Sequence, residues 1–210
     1  MWVLLSSSIL GFIFILQNRP INFLHSVPIF LLYLYGIETV GEYLTNHYKP
    51  NVWLYNYSSV VEFAYYYWLV SKFFANKKAR KKVQLISIIY CTTALANIIF
   101  FQGKTGFHTI TFGLGSLILI SICIYYFYQL LLFPKTELLT KQIEFWICVA
   151  ILFSFVCSFP IFCLNNFYSK KISESIWPTI DSISAFISII FYSLFIVAFL
   201  CKIKFKFKPA

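Results

Sequence analysis

Long apolar runs separated by short polar breaks cover the whole chain. Seven runs can be drawn, at about 2–17, 21–44, 52–75, 83–102, 109–133, 143–164 and 179–201. All but the first reach the roughly 20 residues that a helix needs to cross a hydrocarbon core about 30 Å thick. Runs of this length predict helices rather than strands, so the expected fold is an all-α, polytopic bundle of seven transmembrane helices. The breaks are short, the longest being 165–178, so residues 1–210 are expected to form a single transmembrane domain without a soluble module. The first run, MWVLLSSSILGFIFIL, has no basic residue before Arg19 and is expected to be kept as a span rather than cleaved as a signal peptide. Pro28 lies inside the second run and is expected to kink it.

The polar residues inside the runs are not scattered. In the third run Tyr55, Ser58, Ser59, Glu62, Tyr65 and Tyr66 follow steps of three and four, which puts them on one helical face. Ten residues in from position 52, Glu62 lies about 15 Å deep, at the midplane of the hydrocarbon. A carboxyl there is costly, about 2.5–3.5 kcal/mol on insertion scales, and is expected to face the interior with a partner. The last run answers with Asp181, Ser184, Ser188 and Tyr192, the sixth with Ser154 and Ser158, and the fourth with Thr92, Thr93 and Asn97. Glu38 and Glu42 share a face of the second run. If these stripes meet, the interior is expected to be polar in its outer half. The candidate ligand- or ion-binding residues are therefore Glu62, Asp181, Glu38, Glu42, Asn97, Tyr66 and Ser188. The competing reading is structural: serines and small residues such as GLGS (113–116) glue transmembrane helices together, and a neutral Glu62 hydrogen-bonded to Tyr, Ser or Asn97 would lock helices.

Composition agrees with this class: 60% of residues are hydrophobic and only 11% charged, against about 25% charged in soluble domains. The net charge of +10 sits in short clusters at run ends, notably NKKARKK (76–82) and KIKFKFK (202–208), so it reads as membrane flanks facing anionic headgroups rather than as a nucleic-acid surface. With the N-terminus outside, 13 of the 17 basic residues fall on the inner side. The positive-inside rule thus predicts an outer N-terminus and a cytoplasmic C-terminus. Lys77, Lys78, Arg80, Lys81 and Lys82 become candidates for contact with a cytoplasmic protein partner or with lipid headgroups. Lysine outnumbers arginine 15 to 2, which reads as the codon bias of an AT-rich, bacterial genome; the expected location is then a bacterial inner membrane.

Several chemistries find no support. The six cysteines lie in or beside apolar runs without a CxxC pair and read as small hydrophobes, so neither a metal site nor a disulfide framework is expected. The seventh run has no interior lysine for a retinal Schiff base, and the chain has no H-E-x-x-H, no P-loop and no G-x-S-G motif. No cofactor is expected. His25, His47 and His108 fall near run ends and read as interfacial residues, and most aromatics as belt and packing residues.

The stretches NVWLYNYSSVVEF (51–63), GSLILISICIYYFYQLL (115–131), FWICVAILFSFVCSFPIF (145–162) and FYSLFIVAFL (191–200) resemble, in order and spacing, a family of small bacterial seven-span membrane proteins of no established activity. That resemblance implies the fold and orientation and names no site.

Three functions are compatible with these features. One is a receptor- or sensor-like bundle that binds a ligand near Glu62 and signals to, or anchors, a cytoplasmic partner. Another is a small channel or transporter, as an oligomer or alone, with Glu62 as an ion or proton site. The third is a lipid-modifying intramembrane enzyme that pairs Glu62 with Asp181 as acid and base.

Overall fold

An apolar segment in lipid must satisfy its backbone groups internally, which favours helices. The computed structural model describes residues 2–17, 22–102, 106–133, 138–168 and 177–202. Among them are seven α-helices: α1 (Trp2–Gln17), α2 (Ser26–Asn46), α3 (Val52–Phe73), α4 (Lys77–Ala96), α5 (Thr109–Leu132), α6 (Ile143–Tyr168) and α7 (Trp177–Leu200). A π-helical turn, Asn97–Phe101, continues α4. Arg19, Lys104, Lys135, Lys170, Lys171, Lys204, Lys206 and Lys208, which enter the charge count, lie outside the described residues, as does the side chain of Trp177.

Five helices, those numbered α2, α4, α5, α6 and α7, are long and apolar enough to cross a membrane. The molecule is in this sense a helical membrane protein. The other two helices depart from the test for different reasons. α1 has only 16 residues. α3 is long, but Asn56, Glu62, Lys72, three serines and five tyrosines dilute its apolar character.

Packing explains that dilution. α3 touches α2, α4, α5 and α6, and buries half of its 22 residues, so helices cover much of the surface that lipid would otherwise touch. The short α1 is held by small residues: Ser7 Oγ donates to the Tyr192 carbonyl at 2.8 Å, Ser8 Oγ donates to the Pro28 carbonyl at 3.2 Å, and Gly11 lets Pro28 and Phe199 come close. The GLGS patch packs as its small residues predict. Tyr67 Oη donates to the Gly115 carbonyl at 2.8 Å, and a Cβ at Gly115 would strike the Tyr90 ring.

Two local expectations change. α2 begins at Ser26, not near 21, so Pro28 sits in the first helical turn, where its missing N–H costs no hydrogen bond. The expected kink therefore does not follow. The cluster NKKARKK is the first part of α4 rather than a loop: Asn76 Oδ1 accepts from the Lys78 amide at 2.8 Å and caps the helix. Arg80 turns back across the α3–α4 turn and donates to the carbonyls of Phe74 (3.1 Å) and Lys72 (3.5 Å), so this cation closes the end of α3.

Candidate functional site

Stripes of polar residues on different helices can meet only if each faces inward at the same depth. Four of the predicted stripes do. Tyr55, Ser58, Ser59 and Glu62 of α3, Ser154 and Ser158 of α6, Ser188 and Tyr192 of α7, and Glu38 of α2 line one cavity of about 380 Å³. Leu34, Phe107, Phe112, Phe155, Phe162 and Phe191 complete its walls. A second space of about 260 Å³, between α1 and α7, shares Glu38, Ser188 and Tyr192 with it.

The cavity lies towards one end of the bundle. Its lining comes from the C-terminal half of α2, the N-terminal half of α3, the start of α5, the C-terminal half of α6 and the middle of α7. In an alternating bundle these segments all approach the end opposite Lys77, Lys78, Lys81 and Lys82. One turn further in, side chains pack closely. Leu31, Tyr66 and Ile151 are 0% exposed and Phe195 1% exposed, and they belong to the same four helices that carry the stripes. The ring of Tyr66 meets Phe30, Phe155 and Phe191 edge-on, with centroids 5.5, 5.8 and 6.2 Å away. Towards the basic end the cavity thus gives way to packed side chains.

Glu62 is the carboxyl that α3 contributes to the lining. It stands one helical turn from Tyr66, near enough for the two side chains to interact, although Tyr66 Oη finds no hydrogen-bond partner of good geometry. Glu38 faces it from α2, within range of its charge, with the Tyr55 hydroxyl beside the Glu38 carboxyl. Gly41 makes room for that tyrosine, because a Cβ there would collide with the Tyr55 hydroxyl. The result is two carboxyl groups, several hydroxyls and seven aromatic rings around one space.

Other candidate residues lie elsewhere. Asp181 and Glu42 are exposed and do not line the cavity. Asp181 therefore lies outside the cavity that Glu62 lines, and that cavity gives no geometric basis for pairing them as acid and base. Tyr65 leaves the stripe for α2, where its hydroxyl is 3.0 Å from Ser26 Oγ and its ring stacks on Phe30 at 3.7 Å. Thr92 and Thr93 return their hydroxyls to carbonyls of their own helix. Lys77, Lys78, Lys81 and Lys82 are exposed at the start of α4, while Arg80 is half-buried. Among the described residues, no group of three or more His, Cys, Asp or Glu is placed to hold a metal ion.

Asn97 belongs to a network that the sequence reading did not assemble, centred on His108. This histidine is fully buried, not interfacial. Its Nε2 lies 2.6 Å from Ser59 Oγ and its Nδ1 2.8 Å from Thr111 Oγ1. Ser59 also donates to the Asn56 carbonyl at 2.9 Å, so it accepts from Nε2–H. Thr111 accepts from Asn97 Nδ2 at 3.1 Å and donates its hydroxyl to Nδ1 at 2.8 Å in preference to the more distant His108 carbonyl at 3.3 Å. Both ring nitrogens are satisfied in the neutral form. Asn56 adds two bonds, from its Nδ2 to the Gly106 carbonyl (2.9 Å) and from the His108 amide to its Oδ1 (3.1 Å). Asn97 also donates to Gln102 Oε1 at 2.6 Å. His108 stands one residue before α5, and burial pushes its pKa down to about 4. The network fixes Ser59, and with it one wall of the cavity.

No family model matches the chain, and no curated protein or solved structure matches it at a significant level.

Proposed function

We propose that the chain is a seven-span, receptor-like protein of a bacterial inner membrane, with its N-terminus outside, and that it binds a small organic cation in the outer cavity. In this reading α1 and α3 complete the set of spans: α1 packs on α2 and α7, and α3 runs through the middle of the bundle. The exposed Lys77 and Lys81, which point away from the groove between α4 and α5, belong to the cytoplasmic face on which a protein partner docks. The chain then sits with the small bacterial seven-span proteins that its sequence resembles.

The observation that carries the proposal is the cavity in which Glu62 and Glu38 converge among aromatic rings, with tightly packed side chains towards the basic end. Carboxylates supply charge to an organic cation, ring faces supply cation–π attraction, and the packed side chains hold the ligand without passing it on. The test is thermal stabilisation of the purified protein by a panel of primary amines, quaternary ammonium compounds and inorganic cations. One organic class is expected to raise the melting temperature, and Glu62→Gln to weaken that binding at least tenfold, about 1.4 kcal/mol. A panel without effect, or an unchanged response in Glu62→Gln, contradicts the reading.

The second reading is a small transporter with Glu62 as the ion or proton site. The packing towards the basic end favours a carrier over a channel, because an alternating-access carrier needs one closed side. Cation or proton flux into proteoliposomes that Glu62→Ala abolishes would replace the receptor reading with this one.

A further inference from the structure

At the other end of the molecule, α4 and α5 part company. They meet where the Tyr90 ring rests on Gly115, and between that contact and the basic end lies a groove of about 620 Å³. Ala79, Val83 and Ile86 of α4 form one wall, at helical spacing, and Leu117, Ile118 and Ile122 of α5 form the other. The one hydroxyl on the α5 wall above Tyr125, that of Ser121, is spent on the Leu117 carbonyl at 2.8 Å. The groove thus presents hydrocarbon along its length. From Lys78 to Ile86 it runs about 12 Å, close to the depth of one leaflet of a core about 30 Å thick.

Its mouth has the opposite character. Lys78 and Lys82 both line it, one turn apart on the same face of α4, and both are exposed. They flank the N-terminal turn of a 20-residue helix, whose partial positive charge adds to theirs. Arg80, tied to the α3 carbonyls, stands aside from this pair.

We infer that the α4–α5 groove holds one acyl chain of an anionic phospholipid, whose phosphate is set on Lys78 and Lys82. The apolar walls match a hydrocarbon tail, the depth matches a leaflet, and the paired lysines match a phosphate at the headgroup level. The inference does not depend on the outer cavity or on its ligand.

The experiment uses the full chain in uncharged detergent, titrated with phosphatidylglycerol or phosphatidylcholine, with thermal stability and native mass spectrometry as readouts. Phosphatidylglycerol is expected to raise the melting temperature and to remain bound, and phosphatidylcholine to do neither. Lys78→Gln/Lys82→Gln should weaken phosphatidylglycerol binding on the order of tenfold. Lys77→Gln/Lys81→Gln, which removes the same charge beside the groove, should leave it within about twofold. Ser121→Phe, at an exposed position, fills the groove with every charge intact and should abolish retention of the lipid; its melting temperature without lipid shows that it is folded. Equal losses in the two lysine pairs would show diffuse attraction only and overturn the inference, as would full binding by Ser121→Phe or equal binding of phosphatidylcholine.

Discussion

Helix α7 has the highest mean hydropathy of the five long apolar helices despite its stripe of Asp181 and serines, and leaves Ile183, Phe186 and Ile189 46, 62 and 50% exposed, whereas α3 carries Asn56, Glu62 and Lys72 and buries half of its residues. The helix that hydropathy favours most leaves most of its surface uncovered by the rest of the protein, and the long helix that it passes over lies among four others. Hydropathy reports which surface faces the membrane solvent. Polar side chains are tolerated where neighbouring helices replace that solvent, and this is where the cavity is found.

The sharpest way to break the contrast is to remove a ring from each helix. Phe63 of α3 is 1% exposed and lies against Tyr67, Tyr90, Phe112 and Phe155 at centroid distances of 5.0 to 6.2 Å. Phe63→Ala is expected to cost about 3–5 kcal/mol by reversible unfolding in mixed micelles. Phe186→Ala on α7 removes an exposed ring and should stay within about 0.5 kcal/mol. Comparable losses at the two positions would show that α3 is not the central helix.

A smaller effect sharpens the same point through pH. His108, bound to Ser59 of α3, is neutral in the fold and takes up a proton only near pH 4, while an unfolded histidine does so near 6.5. Its contribution is therefore complete above pH about 6.5 and falls away progressively as the pH drops to about 4, by up to about 3 kcal/mol. Unfolding measured across that window should show this decline in the natural chain, and His108→Gln should flatten it.

Much of this arrangement is legible in the chain. Steps of three and four reveal the stripes on α3, α6 and α7, and the distance from the start of the run gives the depth of Glu62. The stripe tells which face is polar, not how far the cavity extends along the axis. Asp181 precedes Ser188 by two turns, about 10 Å, and Glu42 follows Glu38 by one, so both fall outside the cavity and are exposed. His108 escapes because a histidine beside a run looks interfacial when read alone. The signal that points to it is Asn56 and Ser59, one step of three on α3, a polar pair on a flank of that helix that needs buried partners, together with Thr111 three residues beyond His108. Arg80 is likewise hidden inside a basic cluster, since only the turn between α3 and α4 reveals that it reaches back to Phe74.

The central claim is that the α3 stripe faces a cavity open at the end opposite the basic cluster and closed beneath Glu62. Ser58 lines that cavity one turn nearer its mouth than Glu62. A Ser58→Cys substitution in a background without the six natural cysteines, reacted with a membrane-impermeant thiol reagent in right-side-out and inverted vesicles, tests it directly. Modification in right-side-out vesicles alone is the predicted result. Modification in inverted vesicles alone, or in both, would contradict the account.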